Sequence, residues 1–200
     1  MHGSDKRRIK KNYWKGRLKM IVLVGESASG KSSIADEIER TNPVRRVIQW
    51  TTRPPRDGEV DGVDYMFITK EDFMAFKEKG FFGTITEYRG WYYGTPIQKK
   101  MEEGVYVTTP SGLRKLKKYP NLNIKSFYIK VPGRDRIIQS LKRGDDILEV
   151  FRRFISDTGQ FDGVSDEVDF VIENDGYKKS VSDMAREIMS LYYSNQRRTV

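Results

Sequence analysis

The segment Gly25-Glu26-Ser27-Ala28-Ser29-Gly30-Lys31-Ser32 places two glycines five residues apart and follows them with a lysine and a serine. Glycine lets backbone N–H groups close around an anion with no Cβ in the way. The lysine adds a cation at the end of the loop, and the serine hydroxyl suits a divalent cation. In that order the residues make a phosphate-binding loop, with Lys31 directed at β and γ phosphates and Ser32 at magnesium. Ser33 reads as a phosphate-facing or helix-capping group, because no histidine lies near to activate a serine as a nucleophile.

A second cluster runs Thr51-Thr52-Arg53-Pro54-Pro55-Arg56-Asp57-Gly58-Glu59-Val60-Asp61-Gly62-Val63-Asp64-Tyr65. Two arginines three residues apart on a proline-stiffened loop can grip phosphate oxygens bidentately, and a tyrosine adds a neutral donor. The third cluster is the arginine-rich stretch Arg134 to Ile155. It reads as two helices joined at Arg143-Gly144-Asp145-Asp146, the outline of a mobile lid.

Positioning these groups takes an alternation of elements. Leu18 to Val24 is a short apolar run ending at glycine, as in a strand buried on both faces. Lys31 to Arg40 reads as a helix with Ile34, Ala35 and Ile38 in one stripe, ended by Asn42-Pro43. Val44 to Trp50 reads as a second strand and Thr51 to Gly62 as a loop. Asp64 to Ile68 and Phe81 to Tyr93 alternate like a small antiparallel sheet around a helix over Glu71 to Lys79. Strand signals return at Val105 to Thr109, Ile124 to Val131 and Val168 to Ile172, with helices between. A final helix spans Tyr177 to Tyr193, with Val181, Met184, Ile188 and Leu191 along one face. The class is α/β.

Composition narrows the field. With 200 residues, 37% of them apolar, the chain can bury one sizeable core. It has no cysteine, which removes disulfides, thiolate catalysis and cysteine zinc sites, and its one histidine, His2, sits at the extreme end. The longest apolar run, Met20 to Val24, falls far short of the roughly 20 residues that span a bilayer, so a soluble cytoplasmic protein without membrane contact is expected. The formal charge of +9 is uneven: residues 1–19 hold eight Lys/Arg against Asp5, and Arg197 and Arg198 add two more, leaving residues 20–196 neutral. The excess belongs to a basic flexible tail, which offers at most a weak contact with nucleic acid through phosphates.

These residues resemble the guanylate kinase family, whose members carry such a loop, a TTRxxRxGExxGxxY segment and a later YYG[ST] element. The last appears here as Tyr92-Tyr93-Gly94-Thr95. The resemblance runs from about Met20 to Tyr193. It implies a P-loop kinase core with a parallel sheet (residues 20–48, 105–134 and 164–196), a small antiparallel insert for the acceptor nucleotide (49–104) and a helical lid (135–163). It also implies ATP with magnesium and a nucleoside monophosphate as the bound species. Arg53, Arg56, Tyr65 and Tyr93 would hold the acceptor phosphate and Thr95 would contact its base. Arg143 and Arg153, or Arg152 if the register shifts, would reach the transferring phosphates together with Lys31. Asn174 matches an asparagine at the adenine site.

The sequence departs from that pattern where the family reads guanine. A serine and a glutamate of the family fall on Gln49 and Thr84, and two aspartates fall on Val107 and Thr109. A carboxylate accepts two N–H groups of guanine at once, whereas one hydroxyl cannot form that fork. Glu87 would substitute if the strand register differed, and Gln49 can pair with guanine, adenine or a modified base. Three readings follow: a kinase for GMP or dGMP, a kinase for another or modified nucleoside monophosphate, or a non-catalytic module of the same fold. An intact Gly30-Lys31-Ser32 speaks against the last.

Overall fold

In the computed structural model, residues 18–56, 58–88, 90–96, 103–119 and 122–194 are described. Most of the basic stretch, residues 1–17, lies outside the described residues, and the first strand, β1 (Leu18–Val24), has the bounds expected of it and takes in Lys19, the last residue counted with the tail. The chain continues through α1 (Lys31–Thr41), β2 (Arg45–Arg46), β3 (Trp50–Thr51), β4 (Met66–Phe67), α2 (Lys70–Glu78), β5 (Phe82–Tyr88) and β6 (Trp91–Pro96). It then runs through β7 (Glu103–Thr108), α3 (Pro110–Leu116), β8 (Leu122–Lys130), α4 (Gly133–Lys142), α5 (Ile147–Asp157), α6 (Val164–Glu167), β9 (Phe170–Glu173) and α7 (Val181–Ser194).

The main sheet has the order β2-β7-β1-β8-β9 with parallel pairs throughout. Its central strand is buried on both faces. Ile21 and Leu23 pack with Ile34, Ile38, Met184 and Ile188 of α1 and α7. Met20, Val22 and Val24 pack with Leu113, Leu116 and Val164 of α3 and α6 on the other face. An apolar run therefore replaced the alternation that a one-sided strand would show. With β1 fixed on both sides, the loop after it is held at the carboxyl edge of a rigid sheet.

The second sheet, β4-β3-β6-β5, is antiparallel except for the two-residue parallel pair of β3 with β4. The single strand expected over Val44 to Trp50 is in fact divided. Its first part, β2, joins the main sheet and β3 joins the second, and the N–H of Val47 still donates to the Val105 carbonyl at 2.8 Å. One apolar run serves two sheets here, and periodicity within it cannot mark where the chain crosses over. The run Phe81 to Tyr93 likewise resolves into the hairpin β5–β6, in which Tyr88 faces Trp91 and Gly90 takes the left-handed φ of 79°. Tyr177 was expected in the last helix but lies in a short 3₁₀ turn over Asp175–Tyr177. The helix starts after Ser180, which with Asp183 of the first turn forms a reciprocal cap, each side chain accepting the other's backbone N–H at 3.2 and 3.1 Å.

Candidate active site

The loop from Gly25 to Gly30 links β1 to α1. A Cβ on Gly25 would lie 2.6 Å from Ser29 Oγ and 2.7 Å from the Ile129 carbonyl oxygen, so the loop can rest against β8 only with glycine there. Ala28 (φ 62°) and Gly30 (φ 90°) adopt left-handed backbone, which turns successive N–H groups toward one side and makes an anion nest. Helix α1 starts at Lys31, so its free N–H groups and the positive end of its dipole face the same point. Ser32 and Ser33 occupy its exposed first turn.

Lys31 Nζ donates to the Glu26 carbonyl at 2.6 Å and to Ser29 Oγ at 3.3 Å. Burial of the ammonium is the main reason its pKa falls to about 8, and the nearby Arg136 lowers it further. Asp157 and Glu26 pull the other way. Asp157, at the end of α5, accepts the Ser27 N–H at 2.6 Å and lies 3.6 Å from Arg136 Nη1. Arg136 is buried. It donates to the carbonyls of Val131 (3.1 Å) and Ser27 (3.2 Å), and its guanidinium lies over the Phe154 ring at 5.4 Å. Tyr128 donates to Glu26 Oε1 at 3.0 Å, and Tyr177 to the Ala28 carbonyl at 2.5 Å. The sequence reading singled out neither Arg136 and Asp157 nor these tyrosines. Only the density of arginine in Arg134 to Ile155 pointed toward the first.

The lid arginines reach the same loop. Arg136, Arg143 and Arg153 line a narrow crevice against Ser27 and Ala28. Arg153, not Arg152, is the second lid arginine on this crevice. Arg153 donates to Glu149 at 2.8 Å and Arg143 pairs with Asp145, so each carries its own counter-charge. Asn174 differs from its expected setting. It is buried with both amide hydrogens committed, one to the Lys179 carbonyl (3.0 Å) and one to Met184 Sδ (3.2 Å), while its oxygen accepts the Lys179 N–H at 2.8 Å. The residue braces the loop between β9 and α7.

On the insert, Arg53 is buried and grips both oxygens of Glu59 at 2.9 Å, with Tyr65 and Phe67 rings 5.4 and 5.6 Å from its guanidinium carbon. Arg56 is exposed and donates its backbone N–H to the same Glu59 at 2.8 Å. The Tyr65 and Tyr93 rings stand edge to face at 6.2 Å, and burial raises the Tyr65 pKa above the ordinary phenol value. Thr84 donates to Thr95 at 2.9 Å, which donates to the Tyr106 hydroxyl at 3.0 Å, so Thr95 stands behind Thr84 in the protein. Glu87 is exposed on the opposite side of β5 from Thr84 and Thr86, which removes it as a substitute for the missing glutamate.

A single cleft of about 430 Å³ joins the two halves. Gly25, Ser27 and Lys31 line it from the loop, Asp157 and Gln160 from the end of the lid, and Gln49, Tyr65, Thr84 and Tyr93 from the insert. Val107 and Thr109 line it as well, and Thr109 also caps α3 by accepting the Gly112 N–H at 3.2 Å. The cleft thus brings together the anion nest of the Gly25–Gly30 loop and an aromatic, hydroxyl-rich wall that borders the two-arginine loop.

A family model described as guanylate kinase matches residues 17–191. A guanylate kinase of Streptococcus agalactiae serotype III (strain NEM316) is 30% identical over 187 residues, 87% of each chain. One of Pseudomonas fluorescens (strain Pf0-1) is 32% identical over 177 residues, covering 82% of this chain and 84% of its own. The crystal structure of guanylate kinase from Anaplasma phagocytophilum superposes with a TM-score of 0.64 at 21% identity, covering 92% of this chain and 89% of its own, which supports the fold. Loop, clamp, cleft and matched length agree, and the chain belongs to the guanylate kinase family of phosphotransferases.

Proposed function

We propose that the chain transfers the γ-phosphoryl group of ATP to a nucleoside monophosphate, GMP or dGMP foremost. The observation that carries this reading is the shared cleft, into which both Lys31 of the phosphate loop and Tyr65 and Tyr93 of the insert open. A donor and an acceptor held in one cleft need little more than alignment, because phosphoryl transfer asks for positioning and charge stabilisation rather than a protein nucleophile.

Each group has a distinct task in that reading. Loop N–H groups and Lys31 hold the β and γ phosphates, Arg53 and Arg56 hold the acceptor phosphate in line, and Arg143 and Arg153 offset charge on the oxygens of the transferring group. The donor set suits magnesium. Ser32 offers one hydroxyl beside phosphates that supply further oxygens, as fits an ion that keeps several of its waters. Bound there, the ion would draw charge from the β and γ oxygens. Phosphate entering the loop must also displace Asp157 from the Ser27 N–H.

A second reading, a kinase for another or modified deoxynucleoside monophosphate, is favoured by Gln49 and Thr84 on the cleft wall. ADP formation from ATP and magnesium against ribo- and deoxynucleoside monophosphates separates the two. Turnover with GMP or dGMP supports the first, turnover with another acceptor alone supports the second, and none with any acceptor refutes both.

A further inference from the structure

Helix α3 carries buried Pro110, Leu113 and Leu116 on one side. Its other side shows Ser111, Gly112 and Lys115 to the cleft, at the i, i+1 and i+4 spacing of one helical face. Lys115 crosses to the insert, where its Nζ donates to Thr86 Oγ1 at 2.9 Å, and Thr86 lines the cleft too. Among the described residues lining the cleft, Asp157 is the one carboxylate, and it is engaged at the phosphate loop. The wall of β5 and α3 therefore holds a cation and hydroxyls without an acid to balance them.

We propose that Lys115 reads the acceptor base by donating to an exocyclic carbonyl oxygen, so that the site takes bases with a lactam edge over bases with an amino group there. The inference rests on the kinase reading above. An ammonium has three donors and no acceptor, and Thr86 engages one of them. Thr84, two residues from Thr86 on the same face of β5, spends its hydroxyl proton on Thr95, whose own goes to Tyr106. What Thr84 presents to the cleft is lone pairs. A donor next to an acceptor matches a carbonyl next to a ring N–H, the edge shared by guanine, hypoxanthine, thymine and uracil. Adenine and cytosine show the reverse, an amino group beside a bare ring nitrogen.

The test compares acceptors with and without that oxygen, whose loss also strips the proton from the neighbouring ring nitrogen: IMP with purine riboside 5′-monophosphate, and dUMP with its analogue lacking the 4-oxo group. The arm that turns over shows whether the ring is a purine or a pyrimidine. The expected result is a kcat/KM about 10- to 100-fold higher for the oxo member in the unaltered chain. That ratio should fall several-fold in Lys115→Met, mostly through KM, the remainder belonging to the ring N–H that faces Thr84, and return in Lys115→Arg, with thermal melting confirming that both variants fold. Full oxo preference in Lys115→Met, or AMP or CMP as the best acceptor, would overturn the role of Lys115 while leaving the kinase reading in place. No turnover with any acceptor would sink both.

Discussion

At one end of the cleft phosphate would be gripped by backbone, with N–H groups aimed by left-handed Ala28 and Gly30 and by the first turn of α1 around Lys31. At the other end the base would meet side chains from separate elements: Gln49 before β3, Thr84 and Thr86 on β5, and Lys115 on α3. Backbone grips demand a few residue types at fixed spacing, because only glycine allows the close approach seen at Gly25. Side-chain grips can be exchanged one residue at a time. A chain about 30% identical to its relatives can thus keep one end of the cleft and rebuild the other.

Variants at the phosphate end should lower turnover for every acceptor alike, whereas variants at the base end should change the ratio between acceptors. The largest effect is expected for Lys31→Met, a loss of about 10⁴-fold in kcat, read by ADP formation. Arg143→Ala and Arg153→Ala should each lower kcat by about 10³-fold with a smaller change in KM. Intact turnover in both would remove the lid from the mechanism. Glu59→Ala leaves the buried Arg53 without its partner and should cost about 3 kcal/mol of stability in denaturant unfolding, while weakening acceptor binding.

A pH series sharpens the contrast further. Lys31 titrates near 8 in the folded chain against 10.5 for a free lysine, so folding disfavours its charged form. The penalty is full below pH 8 and is relieved as pH rises from 8 toward 10.5. Binding of the ATP anion favours the ammonium and must take up a proton above pH 8, so ATP affinity should weaken there by up to about tenfold per pH unit. Calorimetric titration in buffers of different ionisation heat checks the uptake. The smallest effect is expected for Asp157→Asn, which weakens the hold on the Ser27 N–H and removes a negative charge beside the loop. ATP binding should tighten about threefold, and weaker binding would show that Asp157 supports the nucleotide rather than competing with it.

The same contrast explains how far the sequence could be read. The loop, β1, α1 and the helix pair α4–α5 were legible because each has a period or a spacing of its own, as Ile34, Ala35 and Ile38 show on α1. Arg136 and Asp157 were not, since each meets the loop only when α4 and α5 fold back across more than a hundred residues. The Thr84–Thr95–Tyr106 relay is equally hidden, being a product of the β5–β6 register and the packing of β7 behind it. Asn174 had a neighbourhood that pointed to a nucleotide, and its burial against Met184 turns it to bracing the chain.

The most direct measurement is transfer of label from γ-³²P ATP into an equimolar mixture of nucleoside monophosphates, with the products separated by chromatography. This account expects label in the diphosphate of an oxo-base, GDP or dGDP first, and none in ADP or CDP formed from AMP or CMP. Label released only as inorganic phosphate, or remaining on ATP with every acceptor present, would contradict it.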